Sequence, residues 1–411
     1  MTMKIPEAVE CIISRLNENG YEAFAVGGCV RDTILCRSPE DWDITTSAKP
    51  EQVKEIFPRT VDTGIQHGTV TVVMNRTGYE VTTYRIDGEY EDGRHPKSVS
   101  YTSVLKEDLR RRDFTINAMA YSHKTGIVDE FKGMDDLKKQ VIRCVGDPIE
   151  RFTEDALRIL RAIRFSAQLN FTIEAQTFKA ITVIAPNMAK VSKERIQTEL
   201  TKLLISSHPE KISLVYETGI SPYISSHFHQ VPYEKAVKLN GRENGFLPEG
   251  KKYLRWAMFL RFAGEEQAVL VLKDLKMDND TICKARTLVK WWDYPVKAEE
   301  ESVRLLMSKM EPELFDDLLQ LKMLSAYGRQ ITDYCKEIAL IRDLIRDRGD
   351  CLYLRDLSVT GKDLIEAGIK PGKEIGDILE KMLSAVLQQP KRNTKEELLN
   401  KFVYNKAPAA E

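Results

Sequence analysis

A change of hydrophobic period near Arg143 constrains this chain more than any other feature. From Tyr21 to about Val145 the segments "YEAFAV", "DWDITT", "GTVTVVM" and "YEVTTYRI" are extended in character and rich in β-branched residues. Beyond it, "EDALRILRAIRFSAQL", "KERIQTELTKLLI", "KYLRWAMFLRFA", "ESVRLLMSKM", "PELFDDLLQLKML" and "IGDILEKMLSAVLQQ" place apolar residues at i, i+3 and i+4, the spacing of a helix with one buried face. The front of the chain therefore predicts an α/β fold, a mixed β-sheet with helices, and the remainder predicts an all-α arrangement. Within the front part, "YEAFAVGG", "CVRDTILCR" and "DWDITT" read as strand, glycine turn, helix and strand. "GTVTVVM" and "YEVTTYRI" read as a hairpin closed by a Gly-containing turn in "NRTG".

A chain of 411 residues is too long for one core, so two to four domains are expected. No apolar run approaches the ~18 residues of a membrane-spanning helix. The N-terminal "MTMKIPEAVECIISRL" reads as an amphipathic helix rather than a signal peptide, and the expectation is a cytoplasmic protein without a membrane partner. The seven cysteines are scattered and form no C-x-x-C pair, as reduced, small apolar side chains do. With 61 Lys plus Arg against 62 Asp plus Glu, there is no global basic field, so any nucleic-acid contact must be a local patch.

Chemistry concentrates in "SPEDWDITTSA", where Asp41 and Asp43 stand two residues apart at the start of a strand. Residues i and i+2 share a face, so two carboxylates repel each other there. A divalent cation between them removes the repulsion, and hard oxygen donors suit Mg²⁺. Directly upstream, Gly27 and Gly28 of "AVGGCVRD" lie between strand and helix, where backbone amides can approach a phosphate closely. The stretch lacks the second and third glycines of G-x-G-x-x-G, which argues against a dinucleotide fold. Arg31 and Asp32 either serve this turn or form a local ion pair.

G-G-x-V-R-D followed by D-x-D resembles the opening signature of the class II tRNA nucleotidyltransferases, the CCA-adding enzymes, and of their bacterial poly(A) polymerase relatives. Three further stretches fit. "LRRRDFTINAMA" matches R-R-D-x-x-x-N-A at Arg111, Arg112, Asp113, Asn117 and Ala118; guanidinium forks grip triphosphate oxygens, while a carboxylate and an amide can read a ribose hydroxyl. "EDALRILRAIRF" matches E-D-x-x-R-x-x-R at Glu154, Asp155, Arg158 and Arg161. On a helix, Asp155 and Arg158 are i, i+3 neighbours, an ordinary surface pair in isolation. Cytosine and adenine, however, both present an amino donor beside a ring-nitrogen acceptor, which a carboxylate beside a guanidinium complements. "VSKERIQTELTKLL" matches at Glu194, Arg195 and Glu199, with the last two expected to support the preceding helix.

The resemblance implies a nucleotidyltransferase head over residues 1–142, a helical neck over 143–206 that recognises the base, a helical body over 207–310 and a tRNA-binding tail over 311–411. It implies addition of C, C and A to the 3′ end of tRNA from CTP and ATP. Asp41 and Asp43 are assigned to catalysis and Mg²⁺, and Gly28, Arg31, Arg112, Asp113, Asn117, Asp155, Arg158 and Arg161 to the nucleotide. Glu80 is the candidate third carboxylate, unless it is an edge-strand residue facing water. "RIDGEYEDGRHP" reads as a mobile loop of the kind CCA-adding enzymes possess. In "VTGKDLIEAGIKPGKEIGDIL", which resembles the family's tail segment, Gly372 and Lys373 either hold a tRNA phosphate or belong to a packed helix pair. Trp256, Trp291 and Trp292 read as core. An A-adding enzyme, a poly(A) polymerase and a non-catalytic RNA-binding protein are the alternatives, and the oligomeric state stays open with a homodimer as one option.

Overall fold

The computed structural model describes residues 3–88, 99–240, 250–324 and 329–404. By internal contacts the chain forms two compact units: Met1–Gly245 with Leu270–Asp278, and Phe246–Val269 with Asn279–Glu411.

The first unit opens with α1 (Glu7–Glu18), whose Val9, Ile12, Ile13 and Leu16 are buried at helical spacing, as the sequence predicts. A seven-stranded mixed sheet follows in the order β3-β4-β5-β2-β1-β8-β9. Its interior strand β1 (Ala23–Val26) is buried at every residue. Helix α2 (Gly28–Ile34) then turns the chain so that β2 (Asp43–Thr46) returns antiparallel beside β1, with Val26 opposite Asp43. That register brings the glycine pair and the two aspartates to one end of adjacent strands. After α3 (Pro50–Ile56), strands β3 (Thr60–Gly64), β4 (Thr69–Met74) and β5 (Thr77–Thr83) form an antiparallel meander.

The β4–β5 hairpin forms as expected, but its turn is not made by glycine. Asn75 and Arg76 occupy left-handed conformations, with φ of 50° and 67°, which fits a two-residue turn between Met74 and Thr77. Gly78 lies inside β5, where a Cβ would come within 2.8 Å of Thr71 Cγ2. Strand β5 pairs in parallel with β2, so it is an interior strand of the sheet. The edge-strand alternative for Glu80 is thereby removed.

The start of the segment expected to be a loop is a strand: β6 (Arg85–Asp87) pairs with β7 (Val99–Tyr101), which follows the segment. The rest of that expectation, residues 89–96, lies outside the described residues. Helix α4 (Leu105–Arg110) leads into the R-R-D stretch. Strand β8 (Ala120–Ser122) lies beside β1, and β9 (Gly126–Val128) closes the sheet. Helix α5 (Gly133–Lys139) follows, and β10 (Val141–Ile142) pairs with β11 (Thr172–Ile173) around the first neck helices.

The neck sequence departs from the continuous helix that its spacing predicts. Helix α6 (Pro148–Glu154) ends at Asp155, whose backbone is extended at φ −149° and ψ 103°, and α7 (Leu157–Leu169) starts afresh. Asp155 Oδ1 accepts the Leu157 N–H at 3.1 Å, satisfying a donor of the new helix start that has no intrahelical partner. Helices α8 (Ala175–Ile184) and α9 (Lys193–Leu204) pack behind.

The second unit is helical, with main helices over Lys252–Leu260, Asn279–Trp292, Glu300–Met307, Pro312–Leu324, Arg329–Asp347 and Lys373–Gln388. Trp256 and Trp292 are buried, as predicted, whereas Trp291 is only half-buried. In the tail, Thr360 and Asp363 form a reciprocal capping box on Gly361–Glu366, and Leu364, Ile378, Met382 and Val386 share one core. These contacts give the tail motif a packing role.

Candidate active site

Three carboxylates gather where β2 meets β5. Extending the β2–β5 register, in which Ile44 faces Val81, by one residue places Asp43 beside Glu80. Burial raises the pKa of Asp43; Arg112 opposes the rise and Asp41 adds to it. Burial also raises Glu80, with further contributions from Asp43 and then Asp41. All three side chains therefore feel one another, although each residue remains exposed. Like charges held together at a sheet's mouth are destabilising without a cation.

The turn beside them is shaped for close approach. Gly27 has φ 85° and ψ −130°, and its N–H donates to Met119 O at 3.2 Å. A Cβ there would lie 3.1 Å from Arg112 Nη1, so the guanidinium rests against the bare glycine. Arg112 Nη2 donates to Asp108 Oδ2 at 3.3 Å, and among the described residues its buried Nε has no hydrogen-bond partner. Arg112 is thus the cation that faces the acidic cluster.

The other predicted nucleotide residues form an interlocked arginine–carboxylate network. Arg31 donates to both oxygens of Asp32, at 2.9 and 2.8 Å, and through Nη1 to Asn117 Oδ1 at 2.6 Å. The local pair and the link to the R-R-D stretch therefore coexist. Asp113 Oδ1 accepts the Phe114 N–H at 2.9 Å and Asn117 Nδ2 at 3.2 Å, while Oδ2 accepts Arg161 Nε at 2.7 Å. Burial alone would raise the Asp113 pKa, but Arg161 and Asn117 bring it down to about 2. The guanidiniums of Arg31, Arg161 and Arg164 stand 4.9, 5.5 and 3.9 Å from the Phe165 ring centre.

The pairings in the neck differ from those sequence spacing suggests. Arg158 Nη1 donates to Glu154 Oε2 at 2.5 Å, and Nη2 to the backbone oxygen of Arg111 at 3.3 Å. Asp155 is held by Arg195, whose Nη1 and Nη2 donate to its two oxygens at 3.2 and 2.7 Å. Glu199 binds Arg164 Nε at 2.5 Å. Both α9 residues thus support α7, as expected, and each does so through an ion pair across the neck. The break at Asp155 explains the exchange of partners, because the carboxylate no longer lies on the helix face of Arg158.

Model matches cover most of the chain: the poly A polymerase head domain over residues 23–143, the "Probable RNA and SrmB- binding site of polymerase A" over 170–230, and tRNA nucleotidyltransferase domain 2 over 250–402. The CCA-adding enzyme of Leuconostoc mesenteroides is 38% identical, over 92% of this chain and 90% of its own. The chain belongs to the CCA-adding enzymes. The CCA-adding enzyme of Ligilactobacillus salivarius is 36% identical over 94% of both chains. The CCA-adding enzyme of Bacillus stearothermophilus, solved in complex with CTP, superposes with a TM-score of 0.81 at 31% identity, over 97% of this chain and 98% of the other. Membership in the CCA-adding family makes the chain a nucleotidyltransferase and implies the use of a divalent metal. No helix among the described residues is long and apolar enough to cross a membrane.

The donor set fits a hard divalent cation: Asp41 and Asp43 offer carboxylate oxygens, and their mutual repulsion with Glu80 is relieved by positive charge. Among the described residues no three acidic, His or Cys side chains form a ready-made cage. A magnesium-type site, which takes one or two carboxylates and completes its shell with water and substrate phosphates, needs no such cage. Sequence reasoning missed Asp108 as a site-supporting residue, and it named Glu154 in a motif without foreseeing its bond to Arg158. Asp108 precedes the R-R-D stretch by only a few residues, but nothing in its spacing says that it is buried.

Proposed function

We propose that this protein adds C, C and A to the 3′ end of tRNA without a nucleic-acid template, using CTP and ATP and releasing pyrophosphate. The tRNA 3′ oxygen attacks the α-phosphorus, a P–O bond to the primer forms, and the bond to the β-phosphate oxygen breaks. Asp41 and Asp43 would hold the divalent cation, which we assign as Mg²⁺; when bound it supplies the charge that acidifies the attacking hydroxyl and neutralises the leaving pyrophosphate. Glu80 adds negative charge to the same cluster. Gly27, Gly28 and Arg112 steady the triphosphate. Arg31, Asp113, Asn117 and Arg161, whose donors and acceptors already bind one another, hold the floor on which Arg112 and the ribose rest.

Asp155 and Arg158 read the base. Asp155 accepts from the exocyclic amine of cytosine or adenine, and Arg158 donates to the ring nitrogen, a pattern that uracil and guanine cannot match. Head, neck, body and tail over residues 1–142, 143–206, 207–310 and 311–411 divide the work. The head-model match ending at residue 143 supports the first boundary. The single observation that carries the reading is the register that sets Asp43 beside both the Gly27 turn and Glu80.

A tRNA lacking three, two or one 3′ residues, offered each triphosphate alone, tests it. CTP should extend the first by two residues and the second by one, ATP should extend only the third, and UTP and GTP should extend none. Long A tails would instead assign a poly(A) polymerase, and extension of only the CC-ended tRNA would assign an A-adding enzyme.

A further inference from the structure

One carboxylate without a role in the proposed reaction lies beneath the site. Asp108, in the last turn of α4, has a fully buried side chain. Its Oδ1 accepts Arg111 Nε at 2.9 Å and the Arg85 N–H at 3.4 Å. Its Oδ2 accepts Thr45 Oγ1 at 3.1 Å and Arg112 Nη2 at 3.3 Å. A carboxylate that fully loses water persists only among such donors. What distinguishes this one is where the two partners of Oδ2 lead. Thr45 is two residues beyond Asp43 on β2 and shares its face of the strand. Arg112 reaches from Asp108 to the Gly27 turn and feels Asp43 electrostatically. One oxygen atom therefore ties the strand that bears the metal-binding pair to the arginine that faces the triphosphate cradle.

We propose that Asp108 is a positioning residue for catalysis: it fixes the Arg112 guanidinium against Gly27 and in register with Asp43, so that a bound triphosphate presents its α-phosphorus at the carboxylate pair. The inference rests on the triphosphate role proposed for Arg112. It predicts an effect on the phosphates common to both nucleotides, and none on the base.

Asp108→Asn keeps the shape and the Thr45 contact but removes the charge that holds Arg112. The KM for CTP and for ATP should each rise about tenfold, by the same factor, with the preference over UTP unchanged. Inhibition by inorganic pyrophosphate, which has no base, should weaken by a similar factor. Because the route runs through Arg112, the double variant D108N/R112Q should be no worse than R112Q alone. A D108N protein that melts earlier yet keeps wild-type KM values and pyrophosphate inhibition would show a purely structural carboxylate and overturn the proposal, as would additive effects in the double variant. If R112Q leaves pyrophosphate inhibition unchanged, the triphosphate role of Arg112 is what fails. Should D108N not fold, the near-isosteric Thr45→Val, which strips the same oxygen of its neutral donor, is expected to raise both KM values about twofold. Wild-type values in T45V would then overturn the proposal.

Discussion

The mouth of β2 and the floor beneath it use the same residue types in opposite ways. At the mouth, Asp43 and Glu80 lie beside other carboxylates and their pKa values are raised. On the floor, Asp108 and Asp113 lie among arginines, and their pKa values are lowered although both are more deeply buried. Burial raises the pKa in both places; on the floor the arginines outweigh it, whereas at the mouth Arg112 alone does not and the other carboxylates add to the rise. The floor is electrostatically complete within the protein. The mouth keeps raised, unneutralised carboxylates, which is the property expected of groups kept for chemistry rather than for folding and fits the proposed cation site.

The largest test of this contrast removes the mouth. Asp41→Asn and Asp43→Asn should each lower nucleotide addition by roughly a thousandfold or more, by analogy with the loss of other essential electrostatic groups. The metal-free protein should meanwhile melt at the same temperature or slightly higher, because like-charge repulsion has been relieved. Parallel single-nucleotide addition assays and thermal melts would check this, and a lower melting temperature would break the distinction between mouth and floor.

Next comes the neck clamp. Arg195→Met frees Asp155 from its bidentate partner, and misincorporation of UTP relative to CTP should increase roughly tenfold, the order expected when a charged hydrogen-bonding pair is lost. Competition assays with mixed triphosphates would measure it. Unchanged selectivity would confine Arg195 to a packing role.

The floor should reveal itself in acid. The folded Asp113 pKa of about 2 lies below its ordinary value, so its stabilisation is full above about pH 4 and is lost as pH falls toward 2. The shift corresponds to about 2 kcal/mol. Melting curves between pH 5 and 2 should therefore be flatter in Asp113→Asn than in wild type, from a lower starting stability.

The smallest effect belongs to Glu80. Burial and then the charges of Asp43 and Asp41 raise its own pKa; because repulsion between carboxylates is reciprocal, Glu80→Gln should move the acid limb of the activity profile to lower pH and reduce the maximum rate several-fold. A limb that does not move would separate Glu80 from the catalytic pair.

Much of this arrangement was legible from local sequence. The strand and helix periods named the α/β front and the helical remainder, because a buried face repeats with the geometry of its own element. Gly27, Asp41 and Asp43 could be singled out because turn geometry and like-charge spacing act over a few residues. Glu80 was legible only as a candidate, since its strand's position in the sheet depends on a parallel pairing with β2.

What the tertiary structure alone decided is the choice of partners. Arg31 meets Asn117 across 86 residues, Arg161 meets Asp113 across 48, and Arg195 meets Asp155 across 40, where spacing had suggested Asp32 beside Arg31, Arg158 for Asp155 and Glu199 for Arg195. An ion pair depends on which elements pack together, and the extended residue at Asp155 turned its carboxylate off the helix face that sequence periodicity had assigned it. Sequence settled which residue types were available and on which local face. Packing settled which charges were neutralised inside the protein and which were left facing outward.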